Sequence, residues 1–295
     1  MSKLLEMLGC RYPIIQGPIG LFNSPEMVAA VSNAGAYGML ALGFSDPDDA
    51  KRLVGEVRTL TDKPFGANLM LMNPHNEKLL EILAGAGIKA VTTSVGSPAK
   101  VYPIIHNLGM KGIHVVLALH HAKSAVSAGA DGLVVAGSEA GGLRSANSES
   151  STMVLVPLVA NHVSVPIIAA GGIADSRGYK AAFALGAQGV QVGTRFLASE
   201  ESPAAEHWKR AIVECGDGGT DLIPSRNMRM AERVITTPWI KEKQADPTVK
   251  CIADELDYQA AETGNYDRAA FGGGQVSALI RDIKSIKAIV EEMVS

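Results

Sequence analysis

The chain has little of what holds a secreted or metal-built protein together. It carries three cysteines, Cys10, Cys215 and Cys251. They lie far apart, form no CxxC pair and are odd in number, which argues against a disulfide framework or a zinc site. Excess charge is also lacking. The formal net charge is −3, which gives neither nucleic acid nor an anionic membrane surface a reason to bind. No apolar run approaches the roughly 18 residues needed to cross a bilayer. The opening MSKLLEMLGCRYP is too short and too charged for a signal peptide. A reduced, cytoplasmic setting is the expectation. Three chemical signatures are missing as well: the GxGxxG dinucleotide fingerprint, the GxSxG nucleophile elbow, and any His/Asp/Glu spacing suited to a metal. With those removed, the chemistry falls to a bound cofactor that the protein positions.

What is present is apolar and periodic. The chain is 47% hydrophobic and 19% charged, enough to bury a sizeable core. Strand-like runs recur about every 20 to 25 residues with helical patterns between them. The strands are expected at Pro13 to Gln16, Gly38 to Leu42, Phe65 to Leu69, Ala90 to Thr93, Ile113 to Ala118, Gly132 to Val135, Pro166 to Ala170 and Gly189 to Val192. Helices are expected at Pro25 to Ala34, from Ser45-Asp46-Pro47 to about Leu60, at His75 to Ala86, from Pro98 to before Gly109, after strand five to Ala128, and at about Ser151 to His162 and Asp175 to Leu185. A helix from about Pro203 to Cys215 closes the set. Eight strand–helix units with right-handed crossovers predict an α/β fold, a (β/α)8 TIM barrel. A doubly wound open sheet is the competitor, but no span reads as the long reversal it needs.

Residues 216–295 do not continue the repeat. Arg226, Arg229 and Arg233 sit in a helix-compatible segment, a charged helical stretch covers Lys250–Thr263, and an amphipathic helix runs from Val276 to Val294. The expected division is a barrel, 1–215, with a helical extension, 216–295, packed on it, since about 80 such residues make a marginal core alone.

The stretch from Val165 to Ala198 carries the clearest functional signal. It is a βαβ unit whose two strands end in Gly171-Gly172 and Gly193-Thr194. Glycine there lets the backbone approach a ligand, and a barrel often binds phosphate after its last two strands. The plainer alternative is that these glycines only make tight turns. Other mouth candidates are the QGPIG turn after strand one, Asn68 after strand three, and a Gly/Ser/Asn-rich loop, Ala136 to Ser150. That loop holds Ser138, Glu139, Gly141, Gly142 and Arg144, and Arg195 follows strand eight. His75, His106, His162 and His207 fall in helical segments and read as structural. His114 lies within strand five, and His120 and His121 stand near the mouth, where a helix-start role competes with catalysis.

The motifs YPIIQGPIG, NAGAYG, KPFGANLML, GADGLVV, GSEAGG, VPIIAAGGIAD and GVQVGTRFLAS occur in order over about residues 12 to 200, with TDLIPSRNMR and FGGGQVSALIRDI beyond. This set resembles the nitronate monooxygenase (2-nitropropane dioxygenase) family, which includes flavin enoyl-acyl-carrier-protein reductases and NADH:quinone reductases. The resemblance implies a barrel that binds FMN and an oxidoreductase acting on a small organic molecule, with O2 or NAD(P)H as a further reactant. By position it places Pro18, Ile19 and Gly20 along the isoalloxazine, Asn68 and Met70 against it from strand three, and Gly142 beside it. Gly171, Gly172, Gly193 and Thr194 would hold the phosphate, and Gly274 would border the site. The family's EAGGH histidine, the base in nitronate oxidation, is here Leu143, and Val115 stands where some relatives have a lysine. The catalytic residue is thereby left unassigned. Three readings follow: an oxidase of the nitronate monooxygenase type, an NAD(P)H-linked quinone or enoyl-thioester reductase, and an FMN- or phosphate-binding barrel without turnover. The oligomeric state is open, a homo-oligomer included.

Overall fold

The computed structural model describes residues 2–20, 23–145, 149–224, 230–249, 251–252 and 271–295. Its strands in chain order are β1 (Ile14–Gln16), β2 (Gly38–Ala41), β3 (Phe65–Met70), β4 (Ala90–Ser94), β5 (Lys111–Val116), β6 (Gly132–Ala136), β7 (Gly142–Ser145), β8 (Ile167–Ala170), β9 (Gly189–Val192), β10 (Thr220–Pro224) and β11 (Met230–Ile235). All but β7, β10 and β11 form one parallel sheet in the order β1-β9-β8-β6-β5-β4-β3-β2. A bridge between Ile15 and Tyr37 joins its two edges. Gln16 N–H donates to Tyr37 O at 2.9 Å, and Tyr37 N–H to Ile14 O at 2.8 Å. The sheet therefore closes, and the fold is a TIM barrel rather than an open sheet.

The strands read as near-continuous apolar runs because both their faces are covered. Inward residues Ile15, Met39, Ala90, Ile113, Val134 and Ile168 pack with one another and with Leu4, Met7 and Leu8. Those three belong to a helix, Lys3–Leu8, that plugs the bottom of the barrel. Sequence reading passed over it, although Ser2 Oγ caps Leu5 N–H at 3.3 Å and Gly9 ends it at φ +70°. Outward residues such as Leu40, Phe65, Leu69, Leu133, Ile167 and Val190 meet the surrounding helices.

The chain beyond residue 216 differs from expectation in its elements. Arg233 lies on strand β11, which pairs antiparallel with both β10 and β7. A helix-compatible sequence became the middle strand of a sheet because two neighbours take up its backbone groups, and tertiary pairing overrides local propensity. Arg226, Arg229 and most of Lys250–Thr263 lie outside the described residues. β7 falls inside what reads as a loop, since its partner β11 is some ninety residues away.

The final helix is also shorter than expected. A 3-10 turn, Gln275–Leu279, gives way to extended chain before the helix Ile286–Val294. The break arises because Arg195 binds Asp282, and Ser199 pairs with Lys284. Ile286, Ile289, Val290 and Met293 are buried in the main core against the outer barrel helices. The helix Glu206–Glu214, expected to close the ring, packs instead with Phe271 and Val276 through Trp208 and Ile212 in a separate cluster. The closing outer helix is thus the last one in the chain. No helix among the described residues is long and apolar enough to cross a membrane.

Ile289→Ala should therefore cost about 2–5 kcal/mol of barrel stability, read by urea unfolding of the whole chain. A loss under about 0.5 kcal/mol, as at a surface position, would show that this helix is not part of the barrel.

Candidate functional site

The mouth is where the strands' C-terminal ends meet. On one side stand the ends of β1, β6, β8 and β9. Gly17 N–H donates to Val192 O at 2.8 Å, and a Cβ on Gly17 would come within 3.2 Å of Gly193 Cα. Gly171 and Gly172 follow β8 at φ +97° and +77°, the left-handed region that a Cβ disfavours. Gly193 follows β9, and a Cβ there would meet nothing within 4 Å. Its side-chain direction is open space, so the turn does not need glycine for packing within the protein.

The loop after β6 is fastened to this group. Glu139 accepts from Thr152 N–H at 2.8 Å and lies 3.0 Å from Thr152 Oγ1. This carboxylate caps the helix Thr152–Ala160. Gly274 N–H donates to Thr194 Oγ1 at 3.0 Å, and Gln275 N–H to Glu139 O at 2.9 Å. A Cβ on Gly274 would lie 2.7 Å from Glu139 O. The strap 272–275 is therefore stitched to Thr194, just after β9, on one side and to the β6 loop on the other. The structure brings Gly171, Gly172, Gly193, Thr194 and Gly274 into one neighbourhood with that loop, where Gly142 opens β7.

Asn68 and Met70 stand on β3, apart from these glycines. Asn68 is buried; its Nδ2 donates to Thr92 Oγ1 at 2.9 Å, and its Oδ1 accepts from Ser94 Oγ at 3.3 Å. Met70 presses on Gly43, where a Cβ would come within 2.7 Å of Sδ. Pro18 and Ile19 are half-buried beyond β1, and Gly20 is exposed with open space around it.

The flagged charges are occupied. Arg144 is buried and pairs with Glu149 at 2.6 Å, and it also donates to Gly137 O at 2.8 Å. Arg195 reaches Asp282 Oδ1 at 3.0 Å and Ala198 O at 2.7 Å. Burial of Arg195 lowers its pKa most, opposed by Asp282. Both arginines hold loops.

The histidines divide similarly. His106 binds Asp131 at 2.9 Å, and His162 Nδ1 lies 2.8 Å from Leu158 O. His114 is buried with Nδ1 2.8 Å from Thr93 Oγ1. Burial, with some help from His121, pushes its imidazole down to about 4, so it is neutral at pH 7. His120 and His121 are exposed, their ring centroids 4.1 Å apart, at the start of the helix Leu119–Ser127. Burial and then His120 lower the His121 pKa. Among the described residues no group of three His, Cys, Asp or Glu side chains could hold a metal.

Two features escaped sequence reading. Gln191 stands two residues before Gly193, and its Oε1 is buried with no partner among the described residues. An unpaired buried acceptor costs about 1–3 kcal/mol, and a donor on a ligand would satisfy it. The signal was there: a polar residue interrupting the apolar run GVQV. The other is Val95 after β4, at φ +52°. A β-branched residue in that region carries about 1–3 kcal/mol of strain, and nothing in its sequence announces it.

Comparison with known proteins decides the family. The nitronate monooxygenase family model matches residues 1–83 and 73–295. The chain belongs to the nitronate monooxygenase family. It is accordingly an oxidoreductase. It is 30% identical to a nitronate monooxygenase of Pseudomonas aeruginosa, over 99% of both chains. It superposes on the structure of FabK from Thermotoga maritima with a TM-score of 0.90 at 35% identity, covering 99% of this chain and 94% of that one. A nitroalkane oxidase from Streptomyces ansochromogenes gives 0.85 at 26% identity, covering 99% and 96%. Against this family's EAGGH, Leu143 stands on β7 opposite Glu232, with 44% of its surface exposed.

His114 makes a test of the fold around the site. Its pKa is lower in the folded state than in the unfolded one, so the unfolded chain takes up a proton first. Stability should be complete above about pH 7 and fall by about 3 kcal/mol as pH drops from 6.5 towards 4. A His114→Gln variant should lack this part of the loss in urea titrations at pH 7, 5.5 and 4.5. Parallel curves for the two proteins would show that His114 does not titrate abnormally.

Proposed function

We propose that this chain is an FMN-dependent oxidoreductase of the nitronate monooxygenase type, acting on a small organic substrate. The observation that carries it is the pair of glycine-ended strands, β8 and β9, beside the unpaired Gln191 Oε1. The two left-handed glycines and the empty space at Gly193 leave main chain free to approach a phosphate. The orphan acceptor suits an N–H on a flat ring lying in the mouth. The donor set fits FMN better than a dinucleotide, since GxGxxG is absent. In this reading Gly171, Gly172, Gly193 and Thr194 hold the phosphate. Pro18, Ile19 and Gly20 lie along the ring, Asn68 and Met70 meet it from β3, and Gly142 and Gly274 border it from the loops. Residues 1–215 supply the cofactor barrel, and the elements after 216 cover its mouth before the last helix returns to the ring.

Bound FMN supplies two-electron chemistry between a donor and an acceptor such as O2. The chain's own residues bind, orient and exclude water. On the β5, β6 and β8 side they are apolar: Val115, Leu117, Val134, Ala136, Ala140, Ile168 and Ala170 share one cluster. Leu143 cannot take a proton. This favours orientation over proton abstraction and supports a second reading, an NAD(P)H-linked reductase of quinones or enoyl thioesters. FabK likeness is in keeping with it. Rapid anaerobic bleaching by NADH or NADPH selects the reductase, whereas inertness to both with fast nitronate turnover selects the oxidase. Flavin-loaded protein inert to every donor and acceptor would leave a binding barrel without turnover. We take the partners to be small molecules in a cytoplasmic setting.

Two variants test the assignment. Gly193→Val places its side chain in space the protein leaves open, so the fold should survive while FMN binding weakens at least about tenfold, or about 1.4 kcal/mol, by fluorescence quenching. Wild-type affinity in that variant would reduce Gly193 to a turn residue. Leu143→His should raise oxidation of neutral nitroalkanes by about 10²-fold or more, the value of a placed base, followed by O2 uptake. Strong wild-type turnover of neutral nitroalkanes would mean that another group is the base, with His120 and His121 the first to replace by alanine.

A further inference from the structure

Among the described residues Val95 is the single non-glycine residue at positive φ. A branched Cβ crowds the following carbonyl in that region, which makes valine one of the poorest choices for it. The turn is imposed from both sides. Leu71 N–H donates to Ser94 O at 2.8 Å, which extends the pairing of β3 and β4 up to the turn. Gly96 follows at φ +136°, where a Cβ would lie 2.9 Å from Leu71 Cβ. Glycine at position 95 would adopt this turn without strain.

Core packing does not offset the cost. Val95 is half-buried and belongs to none of the four apolar clusters. It stands at the mouth end of β4, directly after Ser94, whose hydroxyl donates to Asn68. A strained side chain that adds to no core and sits at the rim of a site points to a role in that site.

We propose that Val95 is a specificity-determining residue: its isopropyl group bounds the β4 side of the mouth and limits the width of the small organic molecule that can reach the cofactor. The proposal rests on the flavin reading above. It assigns the residue to the substrate's side of the site and not to FMN itself.

The test uses full-length protein loaded with FMN and reduced anaerobically with dithionite. Reoxidation by p-benzoquinone and by the wider menadione is followed in a stopped-flow instrument. In each case two electrons and two protons pass from the reduced flavin to the quinone, giving oxidised FMN and the hydroquinone. Val95→Gly should raise the Tm of the flavin-free protein by roughly 2–4 °C and leave the FMN Kd within about twofold. It should raise the menadione-to-benzoquinone rate ratio by roughly tenfold. Val95→Ala should shift the ratio in the same direction with a smaller gain in Tm, since it keeps a Cβ in the left-handed region. A higher Tm with an unchanged ratio would make the strain incidental and overturn the proposal. A lower Tm would overturn it by showing that the side chain supports the fold. Weakened FMN binding would overturn it by moving Val95 to the cofactor. Wild-type protein that takes up no FMN at all fails earlier and differently: it removes the flavin reading, and this proposal with it.

Discussion

Closure of the barrel between β1 and its two neighbours is the constraint on which the rest depends. β1 is three residues long, yet it pairs with β9 on one side and meets Tyr37 on the other. That short strand brings the QGPIG turn against Gly193, whose Cα would lie 3.2 Å from a Cβ on Gly17, while Gly193's own side-chain direction stays open. In an open sheet β1 would stand at an edge or at a switch point, and the ends of β8 and β9 would face a crevice with one wall missing. Closure gives the glycine-ended strands an opposite wall, with Asn68 and Ser94 on it.

The second layer of order is polar and lies in the loops. Arg144–Glu149, Arg195–Asp282 and Glu139–Thr152 each join segments that no sheet connects. A buried ion pair such as Arg144–Glu149 adds little net stability, because desolvation offsets the attraction. The effect of these links here is registration. Arg144 sets the entry to β7 and so the place of Leu143; Arg195 sets where the final helix can begin. Both arginines are thereby committed to partners within the protein.

The chemistry of the mouth follows from what these devices leave uncommitted. Glu139 and Glu149 are engaged and His114 is neutral. The residues that β5, β6 and β8 give to the inner cluster, among them Val115, Val134, Ala136, Ile168 and Ala170, carry no ionisable side chain. What is left is hydrogen bonding on one wall, apolar surface on the other, main chain at β8 and β9, and the exposed His120–His121 pair at the start of the helix after β5.

The barrel strands were legible because each is buried on both faces and bounded by glycine, so composition and spacing mark it locally. The glycines that end β8 were legible for the same reason: a backbone that must turn left-handed needs glycine whatever its neighbours do. Leu143 was legible as a departure by comparison with a motif. β7 and β11 were not, because their pairing joins segments far apart in sequence whose local preference is weak. The start of the final helix is not legible, because the contact that holds the extended stretch before it, Arg195 on Asp282, is also long-range. Gln191 was visible as a polar break in an apolar run, but only the burial of its unpaired oxygen made it informative. Val95 lay beyond sequence altogether. Valine favours extended backbone, and only the joined ends of β3 and β4 force it into a conformation its side chain opposes. Local composition marks which segments are strands and where the chain turns on glycine. Which of them meet is set by contacts far apart in sequence, because closure and long-range pairing depend on groups that local preference does not encode.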